Sequence, residues 1–380
     1  MFWVQHLLGI GHQRRAALIS KQLCHRGADV CYVSGGYPVP DLDIGNARLT
    51  QLPPARAADV GYKTLLDGDG RPVSANWQSA RRDALLRAFE DFRPDALVTE
   101  TYPFGRGLLR FELEPLIERA HGTKPRTRLF CSVRDIVQPR SEHRNEAIAA
   151  LVRARFDTVL VHSDAGIVEF TASFPQAGSF RDRIRYTGYV AEKGSARAAA
   201  AVGDAAGSGV LVSGGGGVVS DKLLEGALRC RELSRLKNEH WRVLAGPAVA
   251  ETTFRRLERL AKGNACVERN RADFSSLLAA CRVSVSQAGY NTLLDVVQAR
   301  ARAVVVPFSD GEQTEQPARA RLFQQKGLVH VVASEGLTPA RLAASIDQAS
   351  NSPRPSAGIL DLGGADRSAE TLLAILEHGA

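Results

Sequence analysis

The sequence predicts an α/β protein made of two parallel-sheet domains, and three observations lead to this fold class. Short runs such as residues 303–306 are wholly apolar, as the buried strands of a parallel sheet are. These runs alternate with amphipathic helical segments, which is the order of strand–helix–strand units. The chain has 380 residues, which is enough for two domains of ordinary size. Residues 191–207 are small and without apolar periodicity, so they are predicted to link the two domains.

The first domain is predicted over residues 1–190. Its strands are expected at 2–8, 29–33, 94–100, 128–133, 158–162 and 184–190, with helices at 13–25, 75–92, 108–120 and 142–154. The first strand leads into Gly9-Ile10-Gly11-His12, a glycine turn that opens onto a helix. Backbone N–H groups at such a turn favour an anion or an electron-rich oxygen. The turn lacks the third glycine of the dinucleotide-binding fingerprint, so a dinucleotide site is not predicted.

The second domain is predicted over residues 208–364. Its strands are expected at 210–212, 241–245, 266–268, 283–286, 303–306 and 328–332, with helices at 220–236, 254–261, 274–281, 291–299, 318–326 and 338–349. The first strand is followed by four glycines, namely Gly214, Gly215, Gly216 and Gly217. Without side chains in the way, a diphosphate can approach the backbone N–H groups of such a loop. The loop does not end in Gly-Lys-Ser/Thr, so it is not a P-loop of an NTP-hydrolysing enzyme.

Polar side chains follow two consecutive strands of the second domain that are predicted to be buried. The loops 287–291 and 309–316 both come at carboxyl ends of strands, where open parallel sheets bind their ligands. Asp295 lies one turn into the helix after the first loop, and Glu315 and Gln316 stand where the next helix begins. Carboxylates and amides at these points suit the hydroxyls of a ribose or a sugar. The sequence therefore predicts a sugar-nucleotide site at this edge of the sheet.

The segments AGYNTLLD and VPFSDGEQTEQPARA, with a strand between them, resemble the carboxy-terminal donor domain of GT-B glycosyltransferases. The resemblance is to the family 28 type, which includes the peptidoglycan N-acetylglucosaminyltransferase, and to a group of bacterial predicted glycosyltransferases. It is dense in the second domain and sparser in the first. It implies the GT-B fold, in which two Rossmann-like domains have a cleft between them and the C-terminal helix, residues 365–380, crosses back to the first domain.

The resemblance also implies which residues bind a nucleotide-sugar donor. The glycine loop would face the diphosphate, and the loop at Asn270 and Arg271 would meet the nucleobase. Asp295 stands where the peptidoglycan enzyme has a glutamate on the ribose hydroxyls, and it is one methylene shorter. The remaining donor residues implied in the two motifs are Gly289, Asn291, Thr292, Glu315 and Gln316.

Three side chains in the first domain are candidates for the general base. His12 lies at the glycine turn that faces the acceptor side in this family, and an imidazole pKa near neutrality suits removal of a hydroxyl proton. On position alone, a histidine at a helix start is more often an ordinary cap or surface residue than a base, and the resemblance shifts that balance. Asp135 and Glu100, each at the carboxyl end of a strand, are the alternatives. The predicted acceptor-side residues are Gly11, Tyr102, Arg106 and Arg134.

Composition restricts the classes of partner. The net charge is +8, but its arginines are scattered without interleaved aromatic residues, which does not favour nucleic acid. A basic surface suits an anionic nucleotide-sugar, and it would also permit weak contact with an acidic membrane face. No apolar run is long enough for a membrane span, no signal peptide is expected, and the six cysteines lack zinc or disulfide spacing. The expected location is the cytoplasm, including the inner face of the membrane.

The function predicted from these features is sugar transfer by inversion. A hexose-type sugar would pass from a nucleoside-diphosphate sugar, with UDP as the expected nucleotide, to a hydroxyl acceptor. The glycine loop and a helix dipole would stabilise the departing diphosphate without a metal, and no cofactor is expected. Three alternatives stay open on the same fold: a nucleotide-sugar hydrolase, a 2-epimerase, and a nucleotide-sugar-binding protein without catalytic activity.

Overall fold

The structure is a computed structural model, and it describes residues 1–58, 61, 63–192, 208–215, 221–246, 249–271, 273–309 and 314–377. The chain divides into two compact units. Unit 1 consists of Met1–Ala191 together with Asp361–Ala380, and unit 2 consists of Glu192–Leu360. Residues 193–207 of the predicted linker lie outside the described residues.

Unit 1 is built on a seven-stranded parallel sheet of order β3-β2-β1-β6-β7-β8-β9. The strands are β1 (Phe2–Val4), β2 (Cys31–Ser34), β3 (Arg48–Gln51), β6 (Ala96–Glu100), β7 (Arg128–Arg134), β8 (Thr158–His162) and β9 (Ile184–Tyr186). A small antiparallel pair, β4 (Arg56–Ala57) and β5 (Leu65–Leu66), stands apart from this sheet. The central strands are buried along their whole length, as expected for a sheet covered on both faces.

The helices of unit 1 are α1 (Gly11–His25), α2 (Ala75–Phe92), α3 (Arg110–His121), α4 (Glu142–Arg155) and a C-terminal helix (Gly364–Glu377). Short 3₁₀ helices lie at Gly107–Leu109, Phe170–Ala172 and Pro175–Arg183. Ser74 caps the N-terminus of α2, because its side chain accepts a hydrogen bond from the Trp77 N–H at 3.2 Å. The predicted return of the C-terminal helix to the first domain is confirmed, since this helix packs on α1 and Arg26 pairs with its Asp366 and Glu370.

Unit 2 holds a six-stranded parallel sheet of order β12-β11-β10-β13-β14-β15. Its strands are β10 (Val210–Ser213), β11 (Trp241–Ala245), β12 (Ala265–Arg269), β13 (Val283–Ser286), β14 (Ala303–Val305) and β15 (His330–Val331). Its helices are α5 (Asp221–Cys230), α6 (Glu251–Leu260), α7 (Phe274–Ala280), α8 (Tyr290–Gln298), α9 (Glu315–Gln325) and α10 (Pro339–Asn351), so the C-terminal helix is α11.

The predicted α/β class with two parallel sheets is confirmed, and the differences lie at its margins. Strand β3 was not predicted, because Arg48–Gln51 is a sheet-edge segment of mostly polar, exposed residues without a buried run. Strand β1 ends at Val4 rather than at residue 8, and the helix predicted at 220–236 ends at Cys230. Among the described residues, no helix is both long enough and apolar enough to cross a membrane.

Candidate functional site

The loop after β1 and the end of β6 bring His12 and Glu100 together in unit 1. His12 is the second residue of α1, and Glu100 is the last residue of β6, which is hydrogen-bonded to β1. The His12 Nδ1 atom lies 3.0 Å from Glu100 Oε1. Carboxyl ends of adjacent parallel strands meet at one edge of a sheet, which explains why residues 88 positions apart form this pair.

Two further side chains hold the Glu100 carboxylate in place. Arg15, one helical turn after His12, forms a buried ion pair with Glu100 Oε1, and its guanidinium is 3.1 Å from His12 Nδ1. The Thr101 hydroxyl donates to Glu100 Oε1 at 3.0 Å. We assign the imidazole N–H to His12 Nδ1, because an ionised Glu100 can only accept a hydrogen bond; the same Nδ1 atom also lies 3.1 Å from the Thr101 hydroxyl. That tautomer leaves His12 Nε2 unprotonated and able to accept a proton.

The surroundings keep both groups in the required charge state. Burial and the guanidinium of Arg106 lower the pKa of His12 well below its ordinary value, and Arg15 adds to this shift, whereas the hydrogen bond that His12 donates to Glu100 opposes it. Burial alone would raise the pKa of Glu100, but Arg15 and His12 hold it below its usual range. At neutral pH the pair is therefore a neutral imidazole beside an ionised carboxylate.

Exposure separates the three predicted general bases. The His12 side chain is 16% exposed, whereas Glu100 is fully buried. Asp135 is also fully buried, and its Oδ1 accepts the Ile136 N–H at 2.8 Å. Only a group that reaches solvent or substrate can take a proton from an acceptor hydroxyl. Of the three, His12 alone meets this condition in the structure.

The predicted acceptor-side residues have different surroundings. Arg106 is half-buried and donates from Nε to the Gln5 carbonyl at 2.7 Å, and its charge also helps burial lower the pKa of His6 to about 4. Gly11 opens α1 and is half-buried, as is Arg134 at the end of β7. Tyr102 is 1% exposed and belongs to the core. Arg106 is therefore the member of this set whose charge contributes to the lowered pKa of His12.

Two Asp-x-Asp triplets, at residues 41–43 and 67–69, occur in loops of unit 1. Asp43 pairs with Lys21 at 2.5 Å and accepts the Gly45 N–H. Asp67 Oδ1 accepts the N–H groups of Asp69 and Arg71, which closes a turn. The Asp43 carboxylate is thus engaged by Lys21 of α1 and by its own loop, and the Asp67 carboxylate by hydrogen bonds within its loop.

In unit 2, the described part of the glycine loop follows β10 directly. The Gly215 N–H donates to Ser213 Oγ at 3.2 Å, and Gly215 has a φ of 67°, which favours glycine. A Cβ placed on Gly246, at the end of β11, would overlap the Gly215 carbonyl oxygen. The loop therefore needs glycine at both points. Gly214 is buried beside it, and Gly216 and Gly217 lie outside the described residues.

Gln316 joins the loops that follow β13 and β14. Its Oε1 atom accepts the Ala288 N–H at 3.1 Å and the Phe308 N–H at 3.0 Å. Thr292 lies close to two of the glycines, because its Oγ1 would stand 3.7 Å from a Cβ on either Gly215 or Gly289. The side chains of the two motifs thus bring three loops of unit 2 to one edge of the sheet.

The remaining predicted donor residues lie around this edge. Asn291 and Asp295 are half-buried on α8, and Glu315 is buried at the first position of α9. The guanidinium of Arg319, one turn further along α9, stands 5.6 Å from the Tyr290 ring centre. Asn270 and Arg271 are exposed after β12, where Arg271 is paired with Asp273 and Glu268.

Arg15 was not among the site residues predicted from the sequence, although its position indicated a place beside His12. His12 and Arg15 are three residues apart at the start of a predicted helix, so they share one face. An arginine on that face, next to a candidate base, could have been noted. Its pairing with Glu100 depends on the fold and had no sequence signal.

Comparisons with known proteins identify a similar family domain and similar folds. Residues 210–357 match the family model of the glycosyltransferase family 28 C-terminal domain. No curated protein matches the chain significantly. The calicheamicin glycosyltransferase CalG4 is similar in structure, with a TM-score of 0.65 and 15% identity over 100% of this chain and 98% of that one.

Two other solved structures are also similar. MurG of Acinetobacter baumannii has a TM-score of 0.58 and 16% identity, covering 98% of each chain. LpCGTa, solved in complex with UDP, has a TM-score of 0.59 and 14% identity over 99% of this chain and 98% of that one. The family match and the shared fold support a glycosyltransferase. The chain thus has the GT-B fold, and its residues 210–357 match the glycosyltransferase family 28 C-terminal domain.

Proposed function

We propose that this protein is an inverting, metal-independent glycosyltransferase that moves a hexose-type sugar from a UDP-sugar to a hydroxyl acceptor. The observation that carries the proposal is the His12–Glu100 hydrogen bond of 3.0 Å, in which only the imidazole is exposed. A neutral imidazole held by an ionised carboxylate is suited to remove a hydroxyl proton. LpCGTa and a plant glycosyltransferase were solved with UDP or a UDP-sugar analogue, which supports UDP as the nucleotide.

In the proposed reaction, the acceptor oxygen attacks the anomeric carbon of the donor. The bond from that carbon to the diphosphate breaks, and UDP leaves with the electron pair. The acceptor proton passes to His12 Nε2, and the Glu100 carboxylate stabilises the imidazolium through Nδ1–H. Because the attack is a single displacement, the configuration at the anomeric carbon inverts.

Unit 2 is proposed to bind the donor. The glycine loop that begins at Gly214 would lie against the departing diphosphate and stabilise its charge without a metal. The Gly214 N–H donates to the Leu244 carbonyl and the Gly215 N–H to Ser213 Oγ, so a diphosphate would have to replace these hydrogen bonds to be held by those two groups. Asp295 and Glu315 would accept hydrogen bonds from the ribose and sugar hydroxyls. Gln316 has a supporting part, since its contacts to Ala288 and Phe308 fix the loops on which the donor would rest.

The proposal is tested by donor binding followed by turnover. Thermal shift with UDP, GDP and TDP should show stabilisation by UDP, and release of UDP from a UDP-sugar should require an acceptor. NMR of the product should show the anomeric configuration opposite to that of the donor. Release of UDP at the same rate without an acceptor would instead establish a hydrolase, and the absence of a shift with every nucleotide would refute the donor site.

A matched pair of variants tests the base. His12→Gln keeps a side-chain amide near Glu100 but cannot take a proton, so kcat should fall by about 10²–10⁴-fold. His143→Gln changes an exposed histidine on α4 and should leave kcat as it is. Equal activity of the His12→Gln variant and the unmodified protein would exclude His12 as the base.

A further inference from the structure

Behind the His12–Glu100 pair, a row of buried polar side chains crosses the sheet of unit 1. The Ser132 Oγ atom, on β7, lies 2.5 Å from Glu100 Oε2 and 2.8 Å from His162 Nε2, at the end of β8. The other ring nitrogen of His162 lies 2.9 Å from the Thr187 hydroxyl, which follows β9. All four residues are fully buried. Such a row is costly unless every member is satisfied, so its hydrogen bonds can be assigned.

The direction of each hydrogen bond follows from the number of protons available. An ionised Glu100 can only accept, so the single hydroxyl proton of Ser132 points to Glu100 Oε2. The Ser132 oxygen must then accept the proton on His162 Nε2. Burial and the charge of Arg15 lower the pKa of His162 to about 3, so this imidazole is neutral and carries only that proton. Its unprotonated Nδ1 accepts the Thr187 hydroxyl.

The assignment makes every donor in the row point towards Glu100. Ser132 occupies one carboxylate oxygen, and the other oxygen faces His12, Arg15 and Thr101. A carboxylate engaged on both oxygens cannot rotate without losing a hydrogen bond. Strands β6 and β7 place Glu100 and Ser132 directly opposite each other, which fixes the contact through the backbone.

We infer that Ser132 and His162 are positioning residues for the general base, holding the Glu100 carboxylate in the orientation that accepts the His12 Nδ1 proton. This inference rests on the proposed role of His12. Neither residue is a catalytic residue, because both are fully buried behind Glu100. Their effect reaches the reaction through the carboxylate alone.

The inference has a consequence for the pH dependence of activity. When the Ser132 donor is removed, the charge on Glu100 is less delocalised into hydrogen bonds, and the carboxylate becomes a stronger acceptor for His12. The pKa of His12 then rises towards its ordinary value. The titratable groups that influence Glu100 or His12 electrostatically are Arg15 of α1, Tyr32 of β2, Cys131 of β7, His162 of β8 and Arg106. Of these titratable groups, only His162 is replaced in the variants of the test.

The test compares Ser132→Ala, His162→Leu and His162→Gln. The amide of His162→Gln can replace the Nε2–H donor, whereas leucine cannot. We expect Ser132→Ala and His162→Leu to move the acid limb of the kcat profile upward by about 1 pH unit. We also expect kcat on the plateau above this limb to fall about tenfold, because the Glu100 carboxylate is no longer held in the orientation that fixes His12. The KM for the UDP-sugar should stay unchanged, and His162→Gln should behave like the unmodified protein.

A second measurement does not need turnover. Titration of the His12 imidazole by NMR, on histidine-labelled protein, should show the same upward movement in Ser132→Ala and His162→Leu. If this movement occurs but no sugar transfer is found, the positioning role stands and the proposed function fails. If folded Ser132→Ala leaves the His12 titration unchanged, the inference is overturned.

Two outcomes are specific to the variants. Equal behaviour of His162→Gln and His162→Leu would show that His162 only fills space, which overturns its positioning role. Should Ser132→Ala not fold, Ser132→Cys keeps a weak donor at the same place and should give a smaller movement in the same direction. A lower melting temperature with an unmoved His12 titration would mark a purely structural contact and refute the inference.

Discussion

The buried ion pair between Arg15 and Glu100 allows the loss of stability in the Glu100→Gln variant to be predicted. The Arg15 side chain is 3% exposed and Glu100 is fully buried, so neither charge is solvated by bulk water. Glutamine has nearly the same shape as glutamate but no charge. Its NH₂ group must also face one of the donors from which the Glu100 carboxylate accepts a hydrogen bond. The substitution therefore leaves the Arg15 guanidinium buried without its counter-charge.

The expected loss of stability can be stated from this burial. Removing one partner of a buried ion pair costs about 3–5 kcal/mol, because the remaining charge stays uncompensated. In a domain of this size, each kcal/mol lowers the melting temperature by about 2–4 °C. We therefore expect Glu100→Gln to lower the melting temperature of unit 1 by about 6–20 °C.

The assay is thermal unfolding followed by calorimetry, with activity measured well below the transition. Glu112→Gln is the matched control, since Glu112 and Arg81 form a second fully buried ion pair in unit 1. Both variants should lose a similar amount of stability. Only Glu100→Gln should also lose activity, by about 10²-fold or more, because only Glu100 supports the His12 tautomer.

Either of two results would refute the reasoning. A melting temperature within about 2 °C of the unmodified protein would show that Arg15 finds other compensation or that the pair is solvated. Full activity in Glu100→Gln would show that the carboxylate is not needed to hold His12.

Three further predictions concern pH and the donor loops. The pKa values of His6, His12 and His162 are all lowered in the folded protein, so unfolding takes up protons below about pH 6.5. The free energy of unfolding should therefore fall by about 1.4 kcal/mol per pH unit for each histidine between that pH and its folded pKa. Urea unfolding at pH 7 and pH 5 checks this, and equal free energies of unfolding at the two pH values would contradict it. Gln316→Ala removes the acceptor of two backbone N–H groups and should destabilise unit 2 by about 1–3 kcal/mol, whereas Gln316→Glu keeps the acceptor; equal urea midpoints for the two variants would count against the bridge. Gly246→Ala forces a Cβ against the Gly215 carbonyl and should weaken UDP binding by about tenfold in calorimetry, while Gly226→Ala, whose Cβ has space on α5, should leave it unchanged; equal affinities would rule out the close approach.

The donor edge of unit 2 was largely readable from the sequence. The short β-branched runs of β13 and β14 indicate buried strands, and the polar residues after them are expected at the carboxyl edge of a parallel sheet. The loops around Asp295 and Gln316 were therefore predicted to lie at one edge of the sheet. What the sequence did not show is how Gln316 acts, since its contacts to Ala288 and Phe308 depend on the exact path of two loops.

The sequence by itself determined the fold class, the strands together with the loops that follow them, and the choice of His12 as a candidate base. Only the tertiary structure showed which of His12, Glu100 and Asp135 is exposed, and the proposal that His12 is the base depends on that exposure. The same holds for Arg15, Ser132 and His162, which come from different elements and meet only in the folded sheet. Periodicity and turn chemistry are local properties and can be read along the chain. Burial, charge pairing and pKa depend on distances between residues far apart in sequence, and those distances exist only after folding.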